Sequence, residues 1–154
     1  MSRSAWIAST ALLVAQVAFA QSPPQPATAM TRDEVLAQLA KAGASSPEMM
    51  VARMTNTDAY RVNVVKRTAP QGAIAHDVGT EVHYIIEGTA TLVTGGTIVR
   101  PAAAAPGAAT IRAGVSREVH PGDIVLVPVR TPHWYSAIAR PPTYLEVRFD
   151  VKEH

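Results

Sequence analysis

Cysteine is absent from all 154 residues. An exported chain of this kind cannot rely on disulfides, offers no thiolate to a soft metal, and has no acceptor for a lipid anchor after its N-terminal apolar stretch. An excess of charge of one sign is also missing. The 14 Lys+Arg, less Arg3 in the leader, leave 13 basic residues against 12 Asp+Glu, a balance that argues against nucleic acid as a partner. The one extended apolar run, Ala5 to Ala20, contains Ser, Thr and Gln, and is too short and polar for a stable membrane span. Helical patterning is missing after Met49, and there is no internal repeat.

What is present begins with "MSRSAWIASTALLVAQVAFA", one Arg, an apolar stretch and a terminal Ala18-Phe19-Ala20 triplet. This pattern predicts a secretory signal peptide over residues 1–20 and a periplasmic or secreted mature protein. Pro-rich residues 21–30 read as a flexible linker. The 134 residues that follow residue 20 (154 less 20) suit one domain with one hydrophobic core. In "TRDEVLAQLAKAG", Thr31 is an N-cap, Glu34 completes a capping box, Val35, Leu36 and Leu39 recur at helical spacing, and Gly43 is a stop. A short amphipathic helix is expected within residues 31–44, packed on its own domain or on a second subunit.

Residues 45–154 change character. Short runs rich in Val, Ile, Thr and Tyr alternate with turn residues: "MVARMT", "YRVNVVKR", "AIAH", "TEVHYIIEG", "TATLVTGG", "ATIRAG", "DIVLVP", "HWYSAIA" and "TYLEVRFD". Runs at this spacing with no helix between them predict an antiparallel sandwich or barrel. The Ala-rich "RPAAAAPGAA", residues 100–109, is broken by Pro101, Pro106 and Gly107 and reads as a loop.

The chemistry gathers in two stretches. Alternation along "TEVHYIIEG" puts Glu81, His83 and Ile85 on one strand face and Val82, Tyr84 and Ile86 on the other. His76 lies five residues before Glu81, with Gly79 between them to let the chain bend. A second stretch, "HPGDIVLVPVRTPHWY", runs from a Pro-Gly-Asp turn through an apolar strand to His133. Three imidazoles and one carboxylate suit a divalent transition metal: iron, manganese, zinc, nickel or copper. A His on a strand face is also commonly a hydrogen-bonded core or rim residue, so both readings stand at this point. His120 reads as a turn residue, and Trp134 and Tyr135 as rim packing. Arg61, Asn63, Glu146 and Arg148 occupy alternating strand positions that suit a solvated face or cross-strand ion pairs. Were they to face a barrel interior, Arg148 would suit an anionic substrate.

The two stretches resemble the two motifs of the cupin family: H-x-H, then Glu after three or four residues and Gly seven beyond it, followed later by G-x5-P-x-G-x2-H. Glu81 to Gly88 keeps the first spacing, and Gly122, Pro128 and His133 keep the second. The resemblance covers roughly residues 58–150 and implies an all-β, cupin-type antiparallel β-barrel, or jelly roll, after the short N-terminal α-helix. It departs in that Ile74 stands where the first His belongs, Arg130 where Gly is usual, and Ala137 where Asn often occurs. His83, two residues after Glu81 on the same face, is a candidate to supply the missing imidazole. The resemblance implies a metal held by His76, Glu81 and His133; His83, outside the family pattern, is by its place on the Glu81 face either a fourth ligand or the partner that neutralises Glu81. Glu81 and His83 are then the candidates for proton transfer. It also implies a small-molecule ligand and a homodimer. The expected function is a metal-binding cupin acting on a small oxygen-bearing organic molecule as a dioxygenase, isomerase or lyase, or else a binding module without turnover.

Overall fold

The computed structural model describes residues 26–100 and 109–150. The expected signal peptide, the first half of the linker, and most of the Ala-rich loop lie outside the described residues. Among those described, no helix is long and apolar enough to cross a membrane.

Helix α1 (Arg32–Gly43) starts where its capping signal puts it. The Glu34 backbone N–H donates to Thr31 Oγ1 at 3.3 Å, and the Thr31 N–H donates to the Glu34 carboxylate at 2.7 Å. Each satisfies a donor that the first turn leaves without an intrahelical partner. The helix packs on strand β1 (Met49–Asn56) of its own barrel, burying Leu39. Strand β1 pairs on one side only, with β2 (Tyr60–Arg67), and on the other the Arg53 N–H donates to the Gln38 side-chain oxygen at 2.9 Å. The helix thus blunts an edge that would otherwise present unpaired backbone groups.

Two long strands organise the rest. Strand β3 (Thr80–Thr94) joins the runs "TEVHYIIEG" and "TATLVT", and β8 (His133–Phe149) joins "HWYSAIA" and "TYLEVRF", so four expected strands are two. They stay continuous because their bends coincide. Register shifts around Glu87 and Thr89 accompany Gly88 at φ +84°, where a Cβ would meet the Pro141 carbonyl oxygen at 2.3 Å. Pro141 and Pro142, poor central-strand residues, fall at this irregular point, where the ladder is already interrupted. The main antiparallel sheet runs β1-β2-β8-β3-β6, with β7 (Ile124–Val127) also paired to β3. Strand β6 (Val115–Val119) was not among the expected runs, nor was β4 (Thr97–Val99), which pairs with β5 (Thr110–Arg112) as a separate two-stranded sheet. "AIAH" forms only a bridge, Ile74 to His133.

The inner face of the sheet carries the core, built on Val65, Ile85, Leu92, Val119, Tyr135 and Tyr144. Fully burying an aliphatic or aromatic side chain of this size contributes about 1.5–3 kcal/mol. The outward residues of the same strands are apolar too, but open: Tyr84 is 43% exposed, Ile86 48%, Leu126 60% and Ile124 71%.

Candidate functional site

Strand alternation and register together lay the inner face out in rows. One row crosses the sheet as Arg61, Arg148 and Glu81, on β2, β8 and β3; the next runs Arg53, Asn63, Glu146 and His83; the third is Val51, Val65, Tyr144 and Ile85. The face therefore grades from charged to polar to apolar. Above it a cavity of about 430 Å³ opens between the charged rows, Trp134 and the bend at Gln71–Gly72. That volume is in the ordinary range for a small-molecule site.

Glu81 is the hub. It is 2% exposed, and four cationic or imidazole groups face its carboxylate. His76 Nε2 is 3.2 Å from Oε1, to which Arg148 Nη2 also donates; His83 Nε2 lies 3.2 Å and His133 Nε2 3.4 Å from Oε2. Burial alone pushes the Glu81 pKa up. The hydrogen bond from His83 and the charges of His133, His83 and Arg148 outweigh it, holding the group down at about 2. Glu81 is therefore an anion at neutral pH.

The imidazoles are held in different ways. His133 Nδ1 is 3.0 Å from the Thr131 carbonyl oxygen, which can only accept, so Nδ1 carries the proton. In the neutral ring Nε2 then carries a lone pair, aimed at the Glu81 carboxylate. Burial holds the His133 pKa below its ordinary value, against the pull of the Thr131 hydrogen bond and Glu81, and burial likewise lowers His76. At neutral pH, then, a lone pair and an anion face each other. A cation between them removes the conflict, and this donor set fits one. The His76, Glu81 and His133 ligand atoms lie within 4.8 Å of one another, a spacing that can hold a metal ion.

His83 sits deeper. Its Nε2 faces ionised Glu81 and must donate, which leaves Nδ1 to accept from the Tyr135 hydroxyl at 3.1 Å. Its ligand atoms group with Glu81 and Glu146, in a second cluster beneath the first. Tyr144 stacks against Tyr135 with centroids 5.3 Å apart and receives a 2.9 Å hydrogen bond from Arg67 Nε. Burial raises the pKa of both tyrosines, Tyr144 to about 12, so both stay protonated, and the Tyr135 hydroxyl has a proton to donate to His83.

The structure thus brings together His76, Glu81, His83 and His133. His120 lies apart, its backbone N–H donating to the Asp123 carboxylate at 2.8 Å and its ring 3.9 Å from exposed Glu118, as suits a turn residue. Sequence reasoning left Arg148 among residues of a solvated face or cross-strand pair. It is a cross-strand partner of Glu81, on the inner face. The signal was the alternation of Arg148 with Val147 and Phe149, but which strand lies beside it is a matter of register. Arg130, in the position where cupins usually carry Gly, has φ +61° and donates its N–H to the His76 carbonyl at 2.8 Å. The glycine habit has a backbone cause, and here Arg bears the left-handed conformation at a cost of about 1–2 kcal/mol.

No protein-family model matches the sequence, and no curated protein does. Among solved structures it is similar to KdgF from Halomonas sp., at 15% identity and TM-score 0.52, over 70% of this chain and 85% of that one. It is similar to the cupin domain of Schizosaccharomyces pombe Cnp3, at 8% identity and TM-score 0.51, over 67% of this chain and 61% of that one. A third likeness is to HppE with cobalt(II) and substrate, at 13% identity and TM-score 0.52, over 68% of this chain and 54% of that one. The shared feature is the fold, which is that of the cupins.

Proposed function

We propose that this cupin-fold chain binds one divalent transition metal through His76, Glu81 and His133, and with it holds or transforms a small oxygen-bearing organic molecule in the adjoining cavity. The observation that carries this reading is the His133 Nε2 lone pair directed at the buried Glu81 carboxylate. Two imidazoles and a carboxylate with open positions suit iron, manganese, zinc, nickel or copper. A bound metal would supply Lewis-acid polarisation of a substrate oxygen. The chain's own groups supply the rest. Thr131 orients His133, Glu81 carries the compensating charge, and His83, held between Tyr135 and Glu81, donates from Nε2 the hydrogen bond that keeps the carboxylate ionised. Dioxygenase, isomerase and lyase chemistry are all compatible with this set.

One observation favours a second reading, a binding module without turnover or metal. Arg148 already pairs with Glu81 and can neutralise it in place of an ion. Elemental analysis of protein folded with these metals separates the two. One metal per chain, lost in folded His76→Ala and His133→Ala variants, supports the first reading; a folded wild type without metal refutes it.

We further infer a homodimer. Val82 and Tyr84 on β3 pair with Leu126 and Ile124 on β7, and with Val147 and Leu145 on β8, making one apolar patch on the outer face. Such a patch suits a self-complementary interface. Export rests on the leader, residues 1–20, and its test is the N-terminal sequence of protein recovered from the periplasm or medium.

A further inference from the structure

Four arginines line the cavity, Arg53, Arg61, Arg67 and Arg148, against the carboxylates of Glu146 in its wall and Glu81 beside His76. The surplus of positive charge is therefore two, before any metal is added. Four of these six groups are already engaged with each other or with neutral partners. Arg148 pairs with Glu81, Arg67 donates to Tyr144 Oη and to Gln71 Oε1, and Glu146 accepts from Asn63 Nδ2 at 2.9 Å. Arg61 differs. It makes no ion pair among the described residues, and its cross-strand neighbour on the inner face is another arginine, Arg148.

Like charges directly opposite on a sheet are unfavourable unless an anion sits between or above them. The Arg148 Nε is buried without a hydrogen-bond partner. The same cavity has an apolar wall, with Met49, Val51, Ile74 and Trp134, so a bare inorganic anion would leave much of it unfilled.

We propose that the cavity takes a small organic carboxylate and that Arg61 binds its carboxylate group, an inference that rests on this cavity being the working site described above. Arg61, Arg148 and Glu81 occupy successive strands, about 4.8 Å apart, so Arg61 stands roughly 10 Å along the row from Glu81. A molecule of a few carbons spans from one to the other. Its carboxylate meets the planar fork of Arg61, its carbon skeleton lies on Trp134 and Ile74, and an oxygen at its other end reaches the His76–Glu81–His133 cluster. Arg61 is a specificity residue in this arrangement, selecting an acid over the isosteric amide.

The test uses full-length protein supplied with metal, with malonate and succinate as probes and malonamide and succinamide as neutral counterparts, by titration calorimetry. Both acids are expected to bind the wild type about tenfold or more tightly than their amides. Arg61→Gln should lose that preference, Arg61→Lys should keep part of it, and Arg117→Gln, on exposed β6, should behave as wild type, with metal content unchanged throughout. One metal per chain with equal affinity for acid and amide overturns the proposal. So does an Arg61→Gln variant that keeps the preference, or a wild type that binds neither acid. A folded wild type without metal that still shows the Arg61-dependent preference refutes the metal centre and supports the carboxylate site.

Discussion

Replacing Glu81 by Gln in the metal-free protein preserves shape while removing the charge on which the site converges. Its cost follows from the structure in two ways. The wild-type carboxyl is drawn from 4.5 to about 2 on folding, which corresponds to about 3 kcal/mol of folding stability at neutral pH. Removing one partner from a buried ion pair costs about 3–5 kcal/mol, because the other charge stays behind; here that charge is Arg148, whose Nε already lacks a partner. The agreement makes about 3 kcal/mol the expected loss, a large fraction of a stability of about 5–15 kcal/mol.

The loss depends on pH in a defined direction. A depressed carboxyl pKa stabilises the fold above the unfolded value of 4.5, and that stabilisation disappears as pH falls toward 2. At pH 3 less than about half of it remains. Since Gln imitates the protonated acid, the gap between wild type and Glu81→Gln should be widest at pH 7 and should narrow steadily below about pH 4.5. Urea unfolding with a chelator present, at pH 7, 5 and 3, measures it. Equal midpoints at pH 7 would refute the electrostatic account of Glu81, as would a gap that does not change by pH 3. Repeating the pH 7 titration with metal in place of chelator should widen the gap, since only the wild type gains the binding term.

Three other outcomes are expected. Gly88→Ala should cost more than about 3 kcal/mol in thermal or urea unfolding, because its Cβ would meet the Pro141 carbonyl at 2.3 Å and its φ is +84°. Arg130→Gly should be at least as stable as wild type, whereas Arg130→Val should lose about 1–2 kcal/mol, since a β-branched residue resists φ +61°. Wild type should run as a dimer in light scattering and Leu126→Glu as a folded monomer; a monomeric wild type at high concentration refutes the outer-face interface.

How far the sequence could be read was set by the range of each interaction. The alternation in "TEVHYIIEG" is local, and Glu81, His83 and Ile85 are indeed buried while Tyr84 and Ile86 are open. The capping box of α1 is local, and it forms. Strand β6, "VSREV", escaped notice because four of its five residues face solvent and only Val119 is buried, leaving no alternation to detect. The breaks expected at Gly88 and at Pro141–Pro142 are real bends, but each occurs opposite the other, so the ladder passes through both.

The charge environment of the site was the least legible part for the same reason. Glu81 and Arg148 are separated by 67 residues and meet only through the β3–β8 register, and Arg61 joins their row only through the β2–β8 register. A slip of one residue in either pairing would turn an arginine outward and bring a Val or Phe in. Motif spacing can therefore nominate His76, Glu81 and His133, which the Ile74–His133 bridge and the β3–β8 pairing bring together, without indicating that an arginine faces the same carboxylate. That arginine sets the central competition at this site. A metal held by Glu81 would weaken the carboxylate's pairing with Arg148, leaving more of that guanidinium's charge, beside Arg61, free to attract an anion. Metal and carboxylate should therefore bind cooperatively, each tighter in the presence of the other, and a metal titration repeated with saturating succinate measures the coupling. Succinate that leaves metal affinity unchanged would place the two sites out of contact.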